Sequence, residues 1–145
     1  MNTILFKSRF ALAIVTLMAG ALVGSAGMAT AGEIKVNLSG DQEVPPVQTS
    51  ATGSGTIKVD DDKSVKGKIT TSDIKATGAH IHEGAVGKNG ADIVTLNKTS
   101  DGEWSVPSGA KLTDAQYDAF KAGNLYVNVH SDAHKGGEIR GQLKR

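Results

Sequence analysis

Four histidines are the side chains of this chain whose type and spacing point most directly to chemistry. His80 and His82 form an H-x-H pair, and in a strand alternate residues leave the same face. His130 ends a second alternating run, and His134 follows in the turn Ser131–Gly137. Ala79 and Ile81 are the apolar partners of the first pair, and Val127 and Val129 those of His130. His80, His82 and His130 therefore point away from the core, which argues against three satisfied core histidines. If the two strands are neighbours, His80, His82, His130 and His134 converge on one patch of imidazoles, a transition-metal site. The competing reading is a scatter of unrelated surface histidines.

Imidazole donors suit Cu(II), Zn, Ni or Fe, and the affinity order among divalent ions favours copper. Copper or zinc is the expected ion, and no organic cofactor is implied. Glu83 and Asp132 lie beside the two histidine pairs, where they can act as orienting partners, as oxygen ligands or as plain solvated turn carboxylates. Glu138 and Arg140 share one face of the last strand, expected to be solvated. A guanidinium beside a metal can steer small anions.

The elements that must position these residues come from a chain of two parts. Lys7 and Arg9 precede an apolar run from Phe10 to Val23, and small residues then end in Ala29-Thr30-Ala31. That order predicts a secretory signal peptide over residues 1–31, cleaved after Ala31, and not a membrane anchor, because the apolar core is short of the ~20 residues a span needs. The expectation is an exported protein, periplasmic or extracellular, with no transmembrane anchor after cleavage. The whole chain has 145 residues, a formal charge of +1 and no Cys. Residues 32–145 lose Lys7, Arg9 and all three Met, so they carry a charge of −1 and no sulfur. A domain of that size buries enough surface to fold without staples. Its near-neutral charge excludes a basic nucleic-acid binder, and any metal it holds must sit on nitrogen and oxygen.

Period-two alternation dominates residues 32–145. Ile34-Val36-Leu38, Val65-Gly67-Ile69, Leu125-Val127-Val129 and Ile139-Gly141-Leu143 each alternate with polar residues, as half-buried antiparallel strands do. Weaker strands are expected near Ser54–Val59, Ala79–His82, Asp92–Leu96 and Glu103–Val106. Asp60–Lys63 and Gly87–Gly90 read as hairpin loops, and Pro45-Pro46 breaks any central strand. The apolar parity slips near Gly78, which predicts a bulge or a late strand start there. One short helix is expected: Thr113 and Gln116 form a capping box, Leu112, Ala115, Ala119 and Phe120 line one side, and Gly123 stands at the C-cap. The sum is an all-β fold, an antiparallel sandwich or flattened Greek-key barrel of about seven or eight strands with one short helix.

Other chemistries find no support. Asp60–Asp62 lacks the spacing and glycine of a calcium loop. Asn37-Leu38-Ser39 and Asn97-Lys98-Thr99 fit a glycosylation sequon, a common pattern that matters only in a eukaryotic host. No G-x-S-x-G, phosphate loop or Cys nucleophile occurs.

Three ordered blocks resemble the CHRD (chordin) domain family. They are Leu38-Ser39-Gly40-Asp41-Gln42-Glu43-Val44-Pro45-Pro46-Val47, then Ala79-His80-Ile81-His82-Glu83-Gly84, then Gly123 to Ser131 continuing through His134 to Leu143. The resemblance runs from about Lys35 to Leu143 and makes residues 32–145 one CHRD domain. It implies a secreted module, similar to the single-domain bacterial type rather than to the growth-factor-binding chordins. The histidine layout also resembles copper-zinc superoxide dismutases, with His80, His82, His130, His134 and Arg140 in the corresponding roles. This chain has no cysteine pair and no set of zinc ligands with a bridging histidine, so the likeness reaches a copper site at most.

Three functions follow as expectations: an exported metal-binding module, a superoxide dismutase-like copper enzyme, or an adhesive module without metal. In the third, the strand faces bearing Lys35, Asn37, Lys66 and Lys68 would make the contact.

Overall fold

Alternating side chains bury one face of a strand only when a sheet curls around that face, and the chain does this along nearly its whole length. The computed structural model describes residues 32–145; the signal peptide expected at 1–31 lies outside the described residues. The strands are β1 (Glu33–Ser39), β2 (Thr52–Val59), β3 (Val65–Ser72), β4 (Ala76–Glu83), β5 (Asp92–Thr95), β6 (Asn97–Ser100), β7 (Glu103–Ser105), β8 (Leu125–Ser131) and β9 (Ile139–Leu143). One helix, α1 (Asp114–Lys121), lies between β7 and β8. Every strand pair is antiparallel, in the order β5-β4-β8-β9-β1-β2-β3-β7-β6.

The two ends of that order explain its shape. β5 and β6 are the outermost strands, yet only Leu96 separates them in the chain. The sheet must therefore curl until its edges approach, giving a nearly closed, flattened barrel. Ile57, Ile69, Phe120, Val127, Val129 and Ile139 fill its interior with no exposed surface.

The expected strands are all present, and β6 is one more. Asn97–Ser100 is exposed at every position, so no alternation could announce it. The register between β4 and β8 shifts between Ala76 and Gly78, the bulge expected from the parity slip. Asp60–Lys63 turns β2 into β3, with the Lys63 N–H donating to Asp60 O at 2.8 Å. The capping box of α1 forms with both of its hydrogen bonds, Thr113 to Gln116 and back. At the other end Gly123 takes φ +77° and donates to Phe120 O while Asn124 donates to Ala119 O, a Schellman closure. The helix face differs from expectation. Ala115 is exposed and Tyr117 packs instead, because Ala115 stands ~140° around the helix from Phe120 at 3.6 residues per turn.

β8 and β9 are buried on both faces, not half-buried. Only His130 of β8 retains partial exposure, and on β9 Arg140 is as buried as Ile139. The covering is the segment Gly40–Ser50, which crosses the outer face: Glu43 accepts from Asn128, and Thr49 donates to Glu138 at 2.6 Å. Glu138 and Arg140, both expected on a solvated strand face, are 9% and 1% exposed, Glu138 beneath that strap and Arg140 beneath the β4–β5 loop, whose Ala85 O and Asn89 Oδ1 accept from it.

Candidate metal centre

β4 and β8 are hydrogen-bonded neighbours, in the register Gly78 opposite His130, His80 opposite Asn128 and His82 opposite Tyr126. Ala79, Ile81, Val127 and Val129 face the interior with at most 1% exposure. Alternation then sends His80, His82, Tyr126, Asn128 and His130 to the outer face. The adjacency that the site requires is present, and three of the four histidines meet.

One donor atom each from His80, His82 and His130 lies within 4.8 Å of the other two. The ring centroids are 5.7 Å (His80–His82), 5.0 Å (His80–His130) and 5.8 Å (His82–His130) apart. An ion held at ~2.1 Å by imidazole nitrogen needs donors no more than ~4.2 Å apart. Against the 4.8 Å bound, ring rotations that close a pair by no more than about 0.6 Å meet that limit.

The hydrogen bonds around the rings set which nitrogen is free. His82 Nδ1 donates to Gly90 O at 3.0 Å, and His130 Nδ1 donates to Lys135 O at 2.9 Å. Each bond holds the proton on Nδ1 and leaves the Nε2 lone pair unused, as supported metal ligands do. His82 Nε2, His130 Nε2 and His80 Nδ1 are all buried without any hydrogen-bond partner. An orphaned buried polar atom costs ~1–3 kcal/mol, so three on clustered rings are expensive unless something binds them. Burial, first, and the facing His130 hold the His80 imidazolium below its usual range, against a pull from Asp92. Burial also leads for His82, with His130 and His80 adding to it and the Gly90 bond and Asp92 opposing. Neutral imidazole, the ligating form, is thereby favoured in both.

His134 does not join the group. It sits in the turn after β8, where its N–H donates to Ser131 O at 3.2 Å and its O accepts from Gly137 at 3.0 Å. Its charge acts on Glu138 instead. Glu83 follows the parity of Ala79 and Ile81 and is exposed, and Asp132 is exposed beyond the end of β8. Neither hydrogen-bonds an imidazole among the described residues.

Several neighbours escaped the sequence reading. Tyr126 stacks on His82 with centroids 4.9 Å apart and planes 7° from parallel. Its hydroxyl accepts from the Gly90 N–H at 3.0 Å, so it steadies the loop whose carbonyl orients His82. The parity that put His130 on the outer face also put Tyr126 there, and that signal was available. Asp92 reaches the site because β5 pairs with β4, opposite His82, a pairing no local pattern reveals. Glu43 of the strap and Glu138 beneath it form a contrasting pair. Desolvation pushes Glu43 up to about 7, against its bond from Asn128 and the charge of Arg140. Desolvation also acts on Glu138, but donors from Ser131 and Thr49, with His134, outweigh it and hold that carboxyl below its usual range.

The family model of the CHRD domain matches residues 34–143 of this chain. Neither the curated proteins nor the solved structures contain a match to it.

Proposed function

Because the chain belongs to the CHRD-domain family, we propose that it is an exported module that holds a transition-metal ion on His80 Nδ1, His82 Nε2 and His130 Nε2. The observation that carries this reading is that each of the three clustered rings has a buried, unpartnered nitrogen while two of the rings are braced from behind by backbone carbonyls. The described residues offer neither thiolate nor thioether, which disfavours Cu(I), and among the divalent ions that suit imidazole the affinity order favours copper over zinc. The leader pattern at residues 1–31 and the extracellular habit of the family support export. No helix among the described residues is long and apolar enough to cross a membrane.

Titration of the metal-free protein with Cu(II) and Zn(II), followed by calorimetry and by electron paramagnetic resonance for copper, tests it. The expected result is one ion per chain, with nitrogen hyperfine structure that loses couplings in His80→Ala/His82→Ala. A stoichiometry and spectrum unchanged in that variant would overturn the reading. A second reading, a superoxide dismutase-like copper enzyme, draws on one observation: three protein donors leave a coordination position for a small ligand. Superoxide decay no faster than with the same free copper eliminates it.

A further inference from the structure

Arg140 heads the large side chains withdrawn from solvent, at 1% exposure, yet it forms no ion pair among the described residues. Its guanidinium lies 3.5 Å from the centroid of the Tyr126 ring, on a stack that continues to His82. It donates to three neutral acceptors: Asn89 Oδ1 at 3.3 Å, Ala85 O at 3.0 Å and Gln142 Oε1 at 3.2 Å. Five N–H groups are available on arginine, so two find no acceptor in the protein. A desolvated cation in this condition is a favourable partner for an incoming anion.

Arg140 opens on a cleft of about 500 Å³ that none of the histidines lines. Gln142 and Lys144 share its wall, and Lys144, exposed, also forms no ion pair. Val44, Pro46 and Val86 also line it; Val86, at 62% exposure, is the one exposed large hydrophobic among the described residues. Two acidic groups also line the cleft. Asp41 is exposed, and Glu43 is tied to Asn128 and held partly neutral near pH 7 by desolvation. The cleft thus sets two cations against Asp41 and a Glu43 that desolvation keeps partly neutral, with the most buried charge, Arg140, positive.

We propose that this cleft binds a small organic monocarboxylate, its carboxylate taken by Arg140 and Lys144 and its short apolar body resting on Val44, Pro46 and Val86. Both Nη2 protons and one Nη1 proton are used, so the groups left are Nε–H and one Nη1–H, and a carboxylate oxygen takes a single charge-assisted bond there; the apolar wall distinguishes such a ligand from an inorganic anion. The proposal does not depend on the metal reading.

The test is titration of the metal-free protein with butyrate, using butanol and chloride as controls, followed by amide chemical shifts. Butyrate is expected to give saturable shifts at Val86, Gly87 and Lys144 that neither control reproduces. Lys144→Ala and Val86→Ser, both at exposed positions, should each weaken binding about three- to tenfold, and Arg140→Gln should abolish it. Because Arg140→Gln removes a buried side chain, the two surface variants decide if it does not fold. Absence of saturable shifts to about 10 mM, equal shifts with butanol, or wild-type affinity in both surface variants overturns the proposal. With no metal in the titration, failure here leaves the histidine site standing, and failure there leaves this one.

Discussion

A histidine becomes a ligand through the direction of one lone pair, and here that direction separates His130 from His134. His130 is fixed by strand alternation and by its Nδ1 bond to Lys135 O, whereas His134 lies in a turn where no alternation governs the side chain. His130→Ala should therefore weaken copper binding by more than the ~10–100-fold that loss of a ligand's support costs. His134→Ala should change the affinity less than about twofold by calorimetry, within ordinary surface-mutation scatter. Glu43 gives a second prediction at this scale. Its carboxyl titrates at about 7 in the folded protein against 4.5 ordinarily. The folded state then holds the proton more tightly, so the contribution to stability is fully present below 4.5 and is lost as pH rises through about 7. Glu43→Gln keeps a neutral group that can still accept from Asn128. Melting of the metal-free proteins between pH 5 and pH 8.5 should show the variant gaining on the wild type as pH rises. His80 and His82 act with the opposite sign: their lowered values give stability that is present above 6.5 and lost as pH falls through the folded value. The difference between wild type and Glu43→Gln cancels them. A constant difference across that range would show that Glu43 is ionised throughout.

At the scale of elements, two turns brace the histidines from behind: the β4–β5 loop through Gly90 O and the β8–β9 loop through Lys135 O. Gly90 is packed so closely that a Cβ there would fall 1.6 Å from Glu83 O. Gly90→Ala must displace the loop, and with it both the His82 brace and the Tyr126 hydroxyl contact. A loss of about tenfold in metal affinity is expected. Gly136→Ala, in the other turn, meets nothing within 4 Å and should bind as wild type; equal affinities in the two variants would remove the loop from the account. Elements of this kind were only partly legible in the sequence. Alternation revealed the direction of His80, His82 and His130, the parity slip revealed the bulge at Gly78, and the capping box revealed α1. These are local signals, carried by residues two to four apart. The pairing of His82 with Tyr126 and Asp92, the strap over Glu138 and the loop over Arg140, and the exposed edge strand β6 depend on contacts between distant segments or on residues without a pattern. Ala115 shows the remaining limit, since a helix face can be placed only after its partner is known.

For the molecule as a whole, the candidate site joins segments that the chain keeps far apart. His82 and Tyr126 are opposite each other across two adjacent strands, with β5, β6, β7 and α1 threaded between them in sequence. In the unfolded chain the three donors are not held together, so an ion bound to them favours the folded state by mass action. β4 and β8 also lie inside a sheet whose edges nearly meet, and opening the donor set means separating that sheet rather than fraying one end. The stabilisation should consequently appear in global unfolding. With free copper at about 100 times its dissociation constant the gain is ~2.7 kcal/mol. For a domain of this size that corresponds to a rise on the order of 10 °C in Tm. Calorimetric melting with Cu(II) and with chelator measures the difference, and His80→Ala/His82→Ala should abolish it. Amide exchange supplies the complementary readout: on metal addition, protection should increase together in β4, β8 and the remote strand β2, because all three open in the same event. Protection confined to β4 and its loop, with no change in Tm, would mean that the ion is held by a local fragment and that the three-histidine site across two strands does not form.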